Sequence, residues 1–375
     1  MKFNALVWLA CTAASVIGAA TPDAEKDAAK EIKKLERKYH LSVAKTIKGR
    51  SSGCDWKKMS YRREWGSLSE ASRLEYINAV QCLQQKPAKS LKADVPGARN
   101  RFDDFVATHI QSAPFIHYSG LFLAAHRHLL HLYETALRDE CGYEGAQPYW
   151  DWTLDYGDLR KSSIFDGSPY SMGSNGESIP HGPTEISAFG LSFSLPPGTG
   201  GGCTHSGPFA NYTVNLGPNA FEPKGPNGGL GYNPRCLKRD ISLAFGDTLK
   251  PTAVLDQISS CKDFACFLAK SEADSSGHTG GHFAIGGDMV DAFSSTTDPV
   301  FWLHHAMVDR AWTIWQHQDA EIRTNQVAGT GTALNVPPSA NVTLDTLIDF
   351  GILSPDQPVR DLVSTIDGPF CYMYL

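Results

Sequence analysis

The chain has no excess of basic charge. Across 375 residues, 34 Lys and Arg stand against 40 Asp and Glu, a formal net charge of −6. A nucleic-acid partner calls for a basic patch or an RNA-type aromatic motif, and neither is present. Beyond residue 20 no apolar run is long enough for a membrane span, which takes about 20 residues. No GxGxxG fingerprint follows a strand pattern, which removes the usual signature of a nicotinamide or flavin enzyme. The closest cysteine pair is CKDFAC, without CxxC spacing or a second half, so a zinc ribbon is excluded. No repeat of solenoid period is visible.

The N-terminus, MKFNALVWLACTAASVIGAA, has a positive Lys2, an apolar stretch from Ala5 to Ile17 and small residues at 18–20. This reads as a secretory signal peptide over 1–20, cut after Ala20; the competing reading, a membrane anchor, needs a longer apolar run. Residues 21–375 then form one domain, and the protein is expected to be secreted, with no membrane association after cleavage. Of nine cysteines, Cys11 leaves with the signal. The remaining even set, Cys54, Cys82, Cys141, Cys203, Cys236, Cys261, Cys266 and Cys371, suits disulfides in an exported chain, with Cys261–Cys266 a local pair. NYT at Asn211 and NVT at Asn341 are glycosylation sequons.

Helical patterning dominates. Residues 22–50 are charge-rich and read as a solvated helical face. The stretch WGSLSEASRLEYINAVQCLQQKP reads as a helix with a Ser67–Glu70 capping box and a Leu74, Ile77, Leu83 stripe. Further helices are expected at 101–109, 120–140, 252–272, 278–290 and 298–318. Residues 157–240, rich in Gly, Ser, Pro and Asn, are irregular and too long for a simple connection. The fold class is mainly α: a helix bundle with long irregular loops, minor β structure and disulfide staples.

Thirteen histidines are unevenly placed. His109, His117 and His126 cluster in one zone. His278 and His282 stand four apart and share a helix face. His304 and His305 are adjacent, and adjacent helical residues point about 100° apart, so both cannot easily face one ion. His305 shares its face with Phe301 and with Asp309, a carboxylate that either supports the ligand or forms a plain salt bridge, so His305 is chosen as the ligand; His304 points elsewhere. Two triples follow, His109, His117, His126 and His278, His282, His305. Each offers imidazoles alone, which suit copper, zinc, iron and nickel. His128 and His131 sit off the face of His126 and read as packing or surface residues. His40, His181, His205 and His317 have no partners in sequence. Trp150 and Trp152 read as core aromatics.

The stretches RREWGSLSEASRLEYINAVQCL, FDDFVATHIQSAPFIHYSGLFLAAHRHLL, PYWDWTLD, SSGHTGGHFAIGGDM and DPVFWLHHAMVDRAW, within residues 61–318, resemble the type-3 copper proteins, the tyrosinase and catechol oxidase group, and in particular its short secreted fungal members. The resemblance implies a four-helix bundle holding two copper ions, the first bound by His109, His117 and His126, the second by His278, His282 and His305. It implies small phenolic substrates and O2 as partners, with o-diphenols oxidised to o-quinones and O2 reduced to water. Copper cycles by one electron, so a two-electron oxidation needs two ions or an organic cofactor; zinc has no redox chemistry.

Three departures qualify the resemblance. Members with a thioether carry Cys two residues before the second histidine; here Phe115 stands there, and no thioether is expected. In several members that hydroxylate monophenols, Asn follows the first histidine of the second triple and helps a Glu hold a water. Here Thr279 follows, with Glu272 the nearest upstream carboxylate. Phe283, after His282, is either a residue of the substrate mouth or a packed core residue. Diphenol oxidation, with o-aminophenols in range, is therefore expected to outweigh monophenol hydroxylation; a full tyrosinase and a non-enzymatic O2-binding protein are the alternatives. Tyr372 and Tyr374 resemble the motif that closes the catalytic core, so no C-terminal lid domain is expected. Cys371 is placed to tie this end to the body. Arg127 and Arg310 read as ion-pairing residues between bundle helices.

Overall fold

The computed structural model describes residues 21–50 and 52–375; the expected signal peptide lies outside the described residues. Helix α1 (Pro22–Ile47) opens with Thr21 accepting from the Ala24 N–H, Pro22 in the first turn, and Asp23 and Glu25 at the positive end of the helix dipole. Beside the solvated face expected from its charge, the helix has a buried stripe of Ile32, Tyr39, Val43 and Ile47 against the helical segments Pro251–Ser259 and Val300–Gln316. Most of the charged residues occupy the outer side, while Glu25 is buried and accepts from Thr252 and Glu36 faces Arg310.

Helix α2 (Glu70–Leu83) starts later than the expected capping box. Glu64 takes the N–H groups of Gly66 and Ser67 and closes a separate single turn there, so the chain reaches α2 with Ser69 as its cap on the Ser72 N–H. Helix α3 (Arg101–Ile116) has the reciprocal box instead: Asn100 caps Asp103, whose carboxylate returns to the Asn100 N–H. It continues past His109 and through Pro114 to its last turn. Helix α4 (Phe122–Cys141) ends on Gly142 in the left-handed conformation, and Cys82–Cys141 joins the C-terminal ends of α2 and α4.

After a single turn, α5 (Trp152–Asp155), the Gly-rich region contributes an antiparallel hairpin, Thr184–Ala188 with Leu191–Leu195, and a Cys203–Cys236 link. The segment expected as one helix over 252–272 is two, α6 (Pro251–Ser259) and α7 (Phe264–Ser271). The Cys261–Cys266 bond and the Asp263 cap make the break between them. Helix α8 (Gly277–Ile285) is short and capped by Ser276; α9 (Val300–Gln316) is buried along its whole length. Helices α3, α4, α8 and α9 pack around the shared interior. The chain is a mainly α bundle with minor sheet, as its periodicity indicates.

The bundle is closed by charge. Asp309 on α9 is buried and accepts from Arg127 Nε on α4 at 2.6 Å, from Arg62 Nη1 at 3.3 Å, and from the hydroxyls of Tyr372 and Tyr374 at 2.6 Å each. Strand Tyr372–Tyr374 runs parallel to Ser60–Arg62, and Cys54–Cys371 fixes the same end. The Arg62 guanidinium lies 3.6 Å from the Tyr372 ring centroid and also pairs with Glu134. Burial alone would raise the Asp309 pKa; Arg127, Arg62 and the two hydroxyls outweigh it and hold the carboxyl below its usual range. Its stabilisation is therefore full above about pH 4, the unfolded value, and is lost as pH falls through the folded value. Arg127→Met, which strips one partner from a buried carboxylate, is expected to destabilise the fold by roughly 3–5 kcal/mol, read by denaturant unfolding at pH 7. A change within ~0.5 kcal/mol, the scale of a surface substitution, would show that Asp309 does not depend on this pair.

Candidate metal centre

Helix α3 supplies His109 and, at its C-cap, His117; α4 supplies His126. The bundle brings them together with ring centroids 5.0–5.6 Å apart. Each donates its Nδ1–H to a backbone carbonyl: His109 to Phe293 at 2.6 Å, His117 to Ala113 at 3.1 Å, His126 to Phe122 at 2.8 Å. A carbonyl can only accept, so the proton sits on Nδ1 and the lone pair on Nε2. The Nε2 atoms of His109 and His126 are buried without any protein partner. A buried polar atom in that state is costly unless something else satisfies it.

In the second triple only His282 is held in the same way. His282 donates Nδ1–H to Met289 O at 2.7 Å, and its Nε2 lies 3.1 Å from His305 Nε2. Such a separation suits two nitrogens each about 2 Å from one ion. Both ring nitrogens of His278 and Nδ1 of His305 lack protein partners. In each group, ring nitrogens fall within 4.8 Å of one another. The two groups abut, with His126 and His305 stacked at 4.5 Å. Phe301 stacks on His305 at 4.0 Å. Burial lowers the pKa of His109 and His282 to about 4 and pushes the other four well down. All six are neutral at pH 7, as metal ligation requires. An all-imidazole donor set with unpartnered lone pairs fits copper ions in both groups.

His304 lies closer than helix phase suggests, within the second group's reach. Both its nitrogens are nevertheless occupied: Nδ1 accepts from Trp152 Nε1 at 3.0 Å, and Nε2–H donates to His278 O at 3.0 Å. It braces a ligand's backbone and has no lone pair to give. Trp152 is therefore more than core filling. The glycines of GHTGGHF belong to the same packing. A Cβ on Gly281 would stand 2.2 Å from the His304 ring, and one on Gly280 1.7 Å from Thr248 Oγ1. Glycine inside a helix costs about 0.5–1 kcal/mol relative to Ala, accepted here so that α8 can lie directly on His304.

Asp309 does not support His305, because its oxygens are all directed to the arginine and tyrosine partners described above. Arg310 leaves the bundle to pair with Glu36 on α1 and lies 4.0 Å from Asp151. Phe115 is half exposed, away from the centre. His128 stacks on Phe350 and His131 lies edge-on to Phe370, both packing roles. Of the histidines without sequence partners, His181 pairs with Asp240, His317 with Ser42 and His40 with Tyr374 O. Asn211 and Asn341 are exposed. Among the described residues no helix is long and apolar enough to cross a membrane.

A cleft of about 610 Å³, counted to its open mouth, reaches His117, His278 and His282. Thr279 and Phe283 line one wall; Phe283 is partly exposed and packs on Phe193 and Phe245, so it belongs to the mouth. Glu272 lines the floor, accepts from the Tyr118 N–H, and is pushed well up by burial. Ile186, Ala188 and Phe193 of the hairpin form the opposite wall. The segments TEISA and LSFSL alternate about Phe189-Gly190, a hairpin signal that the Gly, Ser, Pro and Asn content around them masks; what alternation cannot show is that this face lines the cleft.

His305→Ala is expected to remove copper from the second group, and His304→Ala to lower stability more than copper content. Copper-to-protein ratio and thermal unfolding of both variants check this; equal copper loss in both would defeat the distinction.

The chain is similar to known proteins over most of its length. The family model for the common central domain of tyrosinase matches residues 99–318. Tyrosinase P from Aspergillus terreus is 41% identical over 325 residues, covering 84% of this chain and 91% of its own. N-acetyl-6-hydroxytryptophan oxidase from Emericella nidulans is 36% identical, covering 86% and 93%. The solved polyphenol oxidase of Thermothelomyces thermophila, a point mutant, superposes with a TM-score of 0.86 at 43% identity, over 92% of this chain and 98% of that one. The chain belongs to the tyrosinase family, whose members carry a dinuclear copper centre.

Proposed function

We propose that this oxidase of the tyrosinase family acts mainly on o-diphenols, with o-aminophenols in range, and converts them to o-quinones. His109, His117 and His126 would hold one copper ion and His278, His282 and His305 the other. When bound, the two ions supply a pair of one-electron acceptors, so that two diphenols are oxidised for each O2 reduced to water. The chain's own residues do the rest. Backbone carbonyls hold the Nδ1 protons of His109, His117, His126 and His282 and aim their free nitrogens inward. Phe301 and Phe122 flank the imidazoles and keep the centre dry. Phe283 and Phe193 give the incoming ring an apolar entrance.

The observation that carries the preference for diphenols is Thr279. A monophenol must lose a proton before it can be hydroxylated, and an Asn here would help Glu272 hold a water for that step. Thr279 has no side-chain amide to donate to such a water or to orient the carboxylate. A catechol is a stronger two-electron donor and does not depend on hydroxylation. Glu272 favours a second reading, a full tyrosinase, because a carboxyl raised by burial beside the cleft is suited to accept a proton. Among the relatives, one named for N-acetyl-6-hydroxytryptophan supports fused-ring phenols as a substrate class. We also infer export: the N-terminal pattern and four disulfides among the described residues support it.

Copper-loaded protein is expected to oxidise catechols without a lag and paired monophenols far more slowly. Thr279→Asn should raise the ratio of monophenol to diphenol turnover by about tenfold or more, a fraction of what a positioned base can contribute. Comparable monophenol and catechol rates in the wild type would overturn the preference.

A further inference from the structure

The hairpin opposite α8 ends in a turn whose sequence is wrong for its shape. Ala188 pairs with Leu191, leaving two residues in the loop, Phe189 and Gly190. Their φ values are +54° and +83°. Positive φ at both central positions is the type I′ turn, for which Asn-Gly or Asp-Gly is strongly preferred. A large L side chain in this region is sterically disfavoured, and nothing in the turn itself calls for one.

The ring has an external role. Phe189 stacks on His117 at 5.6 Å and 22°, and packs on Phe293 at 4.9 Å. Phe293 provides the carbonyl that orients His109. One side chain thus covers the outer side of the first histidine group. Its frame is fixed. Asp240 accepts from His181 before the hairpin and from the N–H groups of Gly198 and Gly200 after it, and Ser187 N–H bonds to Ala220 O at 2.7 Å. The hairpin's apolar face joins a small cluster with Ala220 and Val290, separate from the main core.

We propose that Phe189 is a specificity-determining residue: a fixed aromatic cap over His117, beside the cleft wall formed by Ile186, Ala188 and Phe193, that restricts the size of ring that can approach both histidine groups. This rests on the phenol-oxidase reading above and deepens it. A strained backbone held by its surroundings at a site's edge is the kind of outlier from which function is inferred. The cap differs from Phe283, which belongs to α8 itself and shapes the mouth from the other side.

The turn provides the means of separating function from folding. Phe189→Asn installs the residue the turn prefers while deleting the ring; Phe189→Ala deletes the ring without that compensation. The full-length, copper-loaded protein and both variants are compared in three measurements: thermal unfolding, kcat and KM for catechol against the fused-ring diphenol esculetin, and the rate of copper loss to EDTA. Phe189→Asn is expected to unfold at the same or a higher temperature. The esculetin-to-catechol ratio of kcat/KM should rise in both variants by roughly tenfold, the upper scale of one aromatic contact, mainly through KM. Copper loss to EDTA should quicken. An unchanged ratio with unchanged copper loss in both variants would overturn the cap, as would a lowered unfolding temperature in Phe189→Asn with no change in ratio. If the wild type oxidises neither diphenol, the phenol-oxidase reading fails, and the EDTA rates alone still decide whether Phe189 covers the centre.

Discussion

The bundle depends on one buried carboxylate. Asp309 lies one turn beyond His305 on α9 and binds Arg127, the residue immediately after His126 on α4. The ion pair therefore sets the rotation and height of α4 against α9, and with them the approach of the stacked His126 and His305 rings. A carboxylate can accept several hydrogen bonds at once, and the remaining ones come from Arg62, Tyr372 and Tyr374. The paired strands Ser60–Arg62 and Tyr372–Tyr374 thus converge on the same side chain that aligns the metal-bearing helices. Unpaired, this charge could not be buried; fully paired, it gives the bundle a single register. Arg127 adds bonds to Thr313 and Gln316 further along α9 and to the Val363 carbonyl, so the alignment extends well along the helix.

Around that frame, the chemistry is set by backbone carbonyls. Four of the six imidazoles give their Nδ1 protons to main-chain oxygens from α3, α4 and the segment 289–293. A main-chain oxygen neither titrates nor rotates away, so the tautomer is fixed by the fold itself. Burial then keeps the rings neutral well below neutral pH. The segment 289–293 has a double part, since Met289 orients His282 while Phe293 orients His109 across the centre. One short loop thereby ties the two histidine groups to a common reference.

Much of the site was legible in the sequence because metal ligands leave a spacing that packing residues do not need. The i, i+4 pair of His278 and His282, and the helix phase that separates His304 from His305, follow from the helical period. What was not legible was the choice between partners of similar type. Asp309 is in phase to support His305 or to form a salt bridge, and phase alone does not choose; Arg127, Arg62 and two tyrosines arriving from distant segments decide for the salt bridge. Ser67 matched a capping box, yet Glu64 captured the N–H groups of that turn first. The helix expected across 252–272 broke at a disulfide whose local effect the apolar pattern could not register. The alternation of TEISA and LSFSL is masked by its Gly-rich surroundings, and the hairpin's place at the site rests on two positive φ values and on contacts with a histidine far earlier in the chain.

The adjacent histidines and adjacent glycines explain one another. His305 serves the centre directly, and His304 carries the hydrogen bonds that hold α8 against α9. Its Nε2–H bond reaches the carbonyl of His278, and such a bond forms only if the two helices approach more closely than any side chain at 281 would permit. Trp152, from α5, fixes the ring from behind by donating to Nδ1, which forces the proton onto Nε2 and so makes the bond to His278 possible. A lone imidazole at 304 without Trp152 could adopt the other tautomer, lose its grip on α8 and present a lone pair to the metal group. Trp152, His304, Gly281 and His278 thus form a single mechanical unit, and its effect is to keep the number of imidazoles available to the second ion at three.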